Sequence, residues 1–257
     1  MKTVQIKGMN VEIYDSIDDL PILRFHKYNK MLLVDAGVGS DLADFDRHIE
    51  KAIRYAASTT PNLAIAELQN LRQNVYFVQS EISPRYLAFA VLVKSVNGTP
   101  CNDLSDDGLQ KTINLFSDVP HSEITAQLEA VKKKIDDELR LYFPRLFDDA
   151  TLKEYYDKLK QRTIVVLRTI IDGRATEADA KEIDDITAEL ITYFNPQEFT
   201  GSDGVEIKHD RQFENMCLIL SQNLHVDPKK FTVLEYYNAF EYIKEQAKKA
   251  SKQKKPK

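Results

Sequence analysis

Residues 124–142, ITAQLEAVKKKIDDELRLY, decide the fold class. The apolar residues recur every three or four positions, which is the spacing of one face of an α-helix. They are Ile124, Leu128, Val131, Ile135, Leu139 and Tyr142. A second stripe with this spacing contains Leu152, Tyr156, Leu159, Thr163, Val166 and Ile170. Each stripe covers about two to three heptads and Pro144 lies between them, so we predict an antiparallel helical hairpin with coiled-coil-like packing.

Other segments also predict helices. Only 8 Gly and 9 Pro occur among 257 residues, so long stretches lack the residues that interrupt helices. Residues 85–96 follow Ser83-Pro84, a helix start, and are apolar on all sides, which predicts a helix at the centre of the core. Capping boxes are predicted at Thr176 with Asp179 and at Thr232 with Glu235. The predicted fold class is mainly α, a helical bundle that contains the coiled-coil-like hairpin.

The N-terminus has a different pattern. Residues 2–14 alternate between apolar and polar side chains around a turn at Lys7-Gly8. The apolar members of this pattern are Val4, Ile6, Val11 and Ile13. A period of two on both sides of a turn predicts a small N-terminal β-hairpin.

Four segments define the predicted domain organisation. Residues 1–194 form a main helical domain that includes the N-terminal hairpin. Residues 195–210, NPQEFTGSDGVEIKHD, are rich in turn formers and predict a linker or loop. Residues 211–249 predict a C-terminal helical hairpin. Residues 250–257, of low complexity and rich in lysine, predict a disordered basic tail.

The composition limits the class of protein. Hydrophobic residues make up 43% of the chain and charged residues 29%, which is ordinary globular usage. Cys101 and Cys217 match no metal-binding or disulfide spacing, so a reducing compartment is expected. No apolar run reaches the roughly 20 residues that cross a bilayer, and the N-terminus lacks the apolar block of a signal peptide. We therefore expect no membrane insertion and a cytoplasmic location.

The net charge of −5 hides an uneven distribution of charge. Residues 244–257 contain seven lysines and one acid, so the rest of the chain is strongly acidic. An acidic body disfavours non-specific binding of nucleic acid, but a lysine tail can touch an anionic surface. The residues predicted for such an anion contact are Lys248, Lys249, Lys252, Lys254 and Lys255.

The sequence contains no recognisable catalytic apparatus. No two of its five histidines have the i, i+4 spacing of a helical metal site. His209-Asp210 is the one pair with catalytic-looking chemistry, but no nucleophile or third partner lies near it in sequence. We interpret this pair as a solvated loop pair and expect no catalytic residue, no cofactor and no metal. A pocket that brought carboxylates from other helices to His209 would revive an enzymatic role.

An aromatic segment lies at the predicted tip of the helical hairpin. Large apolar residues around an arginine are the type of anchor that is enriched at protein interfaces. The interface candidates are Leu141, Tyr142, Phe143, Arg145 and Phe147. The alternative is a tip that folds back into its own core.

Two segments resemble proteins of tailed bacteriophages. Residues 20–30, LPILRFHKYNK, continuing into residues 35–41, DAGVGSD, resemble segments of small virion proteins of crAss-like phages. Residues 226–240, VDPKKFTVLEYYNAF, are similar in pattern to helical hairpins of phage tail and assembly proteins. The resemblance implies a ring, connector or other tail-region subunit of a virion, assembled in the bacterial cytoplasm and packed against copies of itself and other virion proteins. It assigns no functional residue.

These observations rank three functions. The leading hypothesis is a structural or adaptor subunit of a larger protein assembly, since the chain has long apolar helical faces and no convergent polar site. The alternative is a nucleic-acid-associated protein that uses the lysine tail. An enzyme of an unfamiliar helical class comes last.

Overall fold

The computed structural model describes residues 1–34, 42–58, 60–79, 83–144, 150–174, 176–193, 199 and 204–253. Within these residues one sheet contains β1 (Lys2–Ile6), β2 (Met9–Ile13), β3 (Val93–Val96) and β4 (Thr99–Pro100). The first helices are α1 (Ile22–Val34), α2 (Leu42–Ala56), α3 (Asn62–Gln79), α4 (Pro84–Leu92) and α5 (Asp106–Asn114). They are followed by α6 (His121–Tyr142), α7 (Ala150–Ile171), α8 (Glu177–Thr192), α9 (Val205–Leu224) and α10 (Val233–Gln253). The protein is mainly helical, as predicted.

The sheet begins with the N-terminal β-hairpin, which confirms that prediction. β1 pairs antiparallel with β2, and Lys7 and Gly8 between them have φ values of 44° and 79°. Two successive residues with positive φ make the tight turn that suits twisted antiparallel strands. β3 pairs with the other edge of β2, and β4 completes the order β1-β2-β3-β4.

β3 corrects the prediction that residues 85–96 form a single helix. α4 ends at Leu92, and the next four residues pair as a strand. Asn97 and Gly98, with φ values of 49° and 80°, form a second hairpin turn. The structure changes at this point because Val93 and Val96 are β-branched and an Asn-Gly pair favours a hairpin, although the apolar character of the segment continues.

α4 lies at the centre of the core, as predicted. Its second half, residues 88–92, is almost completely buried. α1 packs along α4, and α6 covers another part of it. The buried residues of α6 are five of the six in the predicted stripe: Ile124, Leu128, Val131, Ile135 and Leu139.

A buried arginine on α1 binds the end of α4. Arg24 Nη1 donates to the carbonyl oxygens of Val91 and Val93, at 2.7 Å and 3.0 Å, and Nη2 donates to the carbonyl oxygen of Cys101. The last carbonyls of a helix have no partner within the helix, so they need donors from elsewhere. The guanidinium carbon also lies 5.2 Å from the centroid of the Tyr14 ring. One side chain thus links α1 to α4, to β3 and to the segment after β4.

The chain divides into two compact units. Unit 1 comprises Met1–Ala36, Asn74–Phe143 and Phe199–Lys257, and unit 2 comprises Gly37–Gln73 and Pro144–Glu198. This division differs from the predicted domains, because the C-terminal helices belong to the same unit as the N-terminal hairpin. The contact responsible is the packing of α1 against α9 and α10.

Unit 2 contains α7 packed against α8. Val165 of α7 and Ile186 of α8 are buried, and Arg162 Nε donates to Thr187 Oγ1 at 2.9 Å. Elsewhere in this unit the fully buried carboxylate of Glu67 on α3 pairs with a histidine of α2. Polar contacts between facing helices therefore supplement a small apolar core.

The predicted coiled-coil pairing of α6 with α7 is not confirmed. The α6 stripe is buried within unit 1, whereas α7 packs against α8 in unit 2. Tyr156 and Ile170 of the predicted α7 stripe are mostly exposed, and Val165, outside that stripe, is buried. Residues 164–167 are four consecutive apolar residues, so spacing alone did not determine which face of α7 is covered.

The segment predicted as a linker, residues 195–210, is partly helical. α9 begins at Val205, with Gly204 as its N-cap, so residues 205–210 form its first turns. α10 likewise extends to Gln253, into the predicted disordered tail, and residues 254–257 lie outside the described residues. Both extensions lack an internal Gly or Pro, so nothing in them interrupts a helix.

Both predicted capping boxes are present. Thr176 Oγ1 accepts from the Asp179 amide at 3.1 Å, and the Asp179 carboxylate accepts from the Thr176 amide at 3.0 Å. Thr232 and Glu235 exchange the same pair of bonds at 3.3 Å and 2.9 Å. These bonds satisfy N–H groups that have no partner in the first turn of a helix.

None of the described helices has both the length and the apolar character that crossing a bilayer requires. Such a helix needs about 20 mainly apolar residues.

Replacing Arg24 with Met tests the link between α1 and α4. The substitution keeps much of the side-chain volume but leaves three carbonyl acceptors without their donor. Each buried polar group left unpaired costs about 1–3 kcal/mol, so the free energy of unfolding in urea should fall by about 3 kcal/mol or more. The control is Lys27→Met, which removes an exposed ion pair with Asp106 and should cost less than about 1 kcal/mol. Equal losses in the two variants would contradict the role assigned to Arg24.

Candidate functional site

The residues of the predicted interface tip differ in their exposure to solvent. Leu141 is 77% exposed and Tyr142 is 55% exposed, whereas Phe143 is only 5% exposed. The Phe143 ring lies 5.4 Å from the ring of Tyr237 on α10, measured between centroids. Phe143 is therefore a core residue, which corrects its assignment to the interface, because its ring packs against Tyr237 of α10. Arg145 and Phe147 lie outside the described residues.

The lysines predicted to contact anions are described only in part. Lys248 and Lys249 are exposed on the last turns of α10. Lys252 belongs to the same helix, and Lys254 and Lys255 lie outside the described residues. Anion binding by this segment stays a prediction.

The structure brings three side chains with metal-ligating or acid–base chemistry together where α1 meets α9. His26 on α1 and Asp210 on α9 are separated by 184 positions in the sequence, yet His26 Nε2 lies 2.9 Å from Asp210 Oδ1. The His26 ring stacks against His209 at 4.3 Å and against Phe213 at 4.0 Å, between centroids. His209 and Phe213 are four residues apart and therefore share one face of α9. We call His26, His209 and Asp210 the histidine cluster.

A lysine of α1 forms an ion pair with the carboxylate of the histidine cluster. Lys30 Nζ lies 2.7 Å from Asp210 Oδ2 and 3.6 Å from the carboxylate of Glu206. Burial raises the pKa of Asp210, but the hydrogen bonds from Lys30 and His26 outweigh it, so the net shift is downward. Asp210 is thus held ionised at neutral pH.

Both imidazoles are held in their neutral form. Burial lowers the pKa of His26, although Asp210 opposes the shift. Burial and the neighbouring His26 lower the pKa of His209 to about 4. His209 Nδ1 is buried and has no hydrogen-bond partner among the described residues. Buried polar atoms are normally hydrogen-bonded, so this nitrogen is open to a further partner.

Two members of the histidine cluster line a cleft of about 240 Å³. His26 and His209 line this cleft together with Asn29 and Gln212. The remaining wall is aromatic and apolar and includes Phe25, Phe213, Met216, Tyr236, Tyr237 and Phe240. An apolar cleft with a few convergent polar groups is the usual form of a small-molecule site.

Sequence reasoning found only part of this site. The sequence predicts a solvated loop at the pair His209-Asp210, whereas both residues belong to α9. His26 was missed because its partners are distant in sequence. The available signal was the spacing of Ile22, His26 and Lys30, which places these residues on one face of α1.

Comparisons with known protein families, with curated proteins and with solved structures found no match to this chain. The function is therefore inferred from the residues and their geometry.

Single substitutions at residues 142 and 143 test which of these two side chains belongs to the core. Phe143→Ser should lower the free energy of unfolding by about 3–5 kcal/mol, since it removes a buried aromatic ring. Tyr142→Ser should change it by less than about 1 kcal/mol, because Tyr142 is largely exposed. Urea denaturation followed by circular dichroism measures both values. A large loss for Tyr142→Ser would show that its side chain is part of the core.

Proposed function

We propose that the chain is a structural or adaptor subunit of a larger protein assembly and that it acts through protein contacts. The observation that carries this proposal is a row of large apolar side chains on the outer face of α7. Its members are between 50% and 81% exposed, and they are Tyr156, Ile164, Leu167, Ile170 and Ile171. Several exposed large apolar side chains on one helix face are typical of an interaction site.

The row is suited to pairing with another helix. Ile164, Leu167 and Ile171 follow one another at steps of three and four, which is the spacing of a coiled-coil seam. The opposite side of α7 is already covered by α8 through Val165, so the exposed row is a second apolar face. Covering this second face with another helix would remove its large apolar side chains from water.

The occupant we propose for the row is α7 of a second copy of this chain, in antiparallel orientation. The row extends from Tyr156 to Ile171, so a two-fold axis near its middle places Tyr156 of each copy beside Ile171 of the other. That arrangement brings Asp157 of one copy within a turn of Arg168 of the other copy. Opposite charges at the edges of the seam favour the antiparallel orientation.

The finer proposal concerns the kind of assembly. Two resemblances support a ring, connector or tail-region subunit of a virion. Residues 20–30 and 35–41 resemble small virion proteins of crAss-like phages, and residues 226–240 resemble helical hairpins of phage tail and assembly proteins. Subunits of such structures contact copies of themselves, which agrees with a self-complementary row on α7. The predicted location is then the virion, after assembly in the bacterial cytoplasm.

The oligomeric state of the purified full chain tests the proposal. Size-exclusion chromatography with light scattering should show a dimer or larger oligomer that dissociates on dilution. Replacing Leu167 and Ile171 with Ser should give a folded monomer, because both side chains are exposed and their loss leaves the core of unit 2 intact. The matched control replaces Leu218 and Ile219 on α9, which are also exposed, with Ser and should leave the oligomer unchanged.

Two results would contradict the proposal. One is a wild-type chain that stays monomeric over a hundredfold range of concentration. The other is an oligomer that dissociates equally in the α7 variant and in the α9 control. Salt-sensitive binding to duplex DNA that is lost when residues 250–257 are removed would instead support the nucleic-acid alternative.

A further inference from the structure

The histidine cluster has the composition of a metal site with an open position. One ligating atom from each of His26, His209 and Asp210 lies within 4.8 Å of the other two. Two imidazole nitrogens and one carboxylate oxygen are a common ligand set for catalytic zinc, which keeps a fourth position for water or another ligand. Two nitrogen donors out of three favour a transition metal over Mg²⁺ or Ca²⁺, which prefer oxygen ligands.

We propose that His26, His209 and Asp210 bind a divalent transition metal ion of the Zn²⁺ class at the junction of α1 and α9. This inference concerns unit 1 and does not depend on the α7 surface of unit 2. The two proposals therefore succeed or fail separately.

One nitrogen of the cluster is open to a metal ion. A ligating imidazole must present an unprotonated nitrogen to the ion. The buried His209 Nδ1, which has no hydrogen-bond partner among the described residues, shows that this ring has a donor atom to offer.

Metal binding requires two local movements. The rings of His26 and His209 are parallel within 4°, and parallel stacked rings cannot both direct a nitrogen lone pair at one ion. His209 must therefore turn out of the stack, which also brings the donors toward the roughly 3.4 Å separation of ligands around tetrahedral zinc. Lys30 must release Asp210, and Glu206, 3.6 Å from Lys30 Nζ, remains as its partner.

The position of the cleft determines what the open coordination site faces. His26 and His209 both line the cleft, so an ion held between them borders the cleft. The fourth ligand is then water or a polar group of a small molecule whose apolar part occupies the aromatic wall. The aromatic wall would exclude bulk water from that side of the ion.

Isothermal titration of the metal-free full chain with ZnCl₂ tests the proposal. We expect one site per chain, with binding weakened by more than about 100-fold in His209→Gln, since loss of a ligand exceeds the effect of losing an outer partner. Asp210→Asn should weaken binding in the same direction and provides a second variant if His209→Gln does not fold. The control His121→Gln removes an exposed histidine from α6 and should leave the affinity unchanged.

Two further measurements separate metal ligation from a purely structural role. Lys30→Met removes the ammonium that competes for Asp210, so it should tighten Zn²⁺ binding by about tenfold. Co²⁺ bound to the wild-type chain should give the visible absorption of a tetrahedral ion, and that absorption should be lost in His209→Gln. The proposal is overturned if the wild-type chain does not bind Zn²⁺, or if it binds as tightly in His209→Gln as in His121→Gln.

Discussion

The buried guanidinium of Arg24 is the interaction on which unit 1 depends. α4 changes directly into β3 after Leu92, and a helix that ends inside the core leaves carbonyl groups that water cannot reach. Arg24 provides the donors for Val91 and Val93 from a neighbouring helix. A guanidinium has five N–H donors in a planar arrangement, so a single side chain can satisfy several acceptors that lie on different segments. The cost of burying its charge is offset only while those acceptors stay in place.

The same helix joins the core to the candidate site. Arg24 and Phe25 of α1 are buried toward the core, whereas His26 and Lys30 reach Asp210 on α9. α1 packs against both α4 and α9, so the position of His26 is set by the contact that Arg24 stabilises. A side chain held on a packed helix is placed more precisely than one on a loop. The fold therefore holds all three side chains of the histidine cluster on two helices that pack against each other.

Features with a fixed local period could be predicted from the sequence, and features that depend on distant packing could not. The apolar residues of α6 recur every three or four positions, and those of the strands around Lys7-Gly8 recur every second position. The buried face of each segment therefore follows from the spacing. On α7 four consecutive residues are apolar, so their spacing does not show which face is buried. The packing of α8 decides that face. The candidate site could be predicted only in part. His209 and Asp210 are adjacent in sequence, but His26 joins them only because α1 packs on α9.

Native-state hydrogen exchange on the full chain tests most directly whether α1 and α4 form one cooperative structure around Arg24. The amides of residues 25–34 and 89–96 should be the slowest to exchange in unit 1, and they should share one free energy of opening and one dependence on denaturant. The amides of α7 and α8 should open separately, since they belong to unit 2. Exchange of the α4 amides at a clearly lower free energy than those of α1 would show that α4 opens without α1, and would contradict the central role of Arg24.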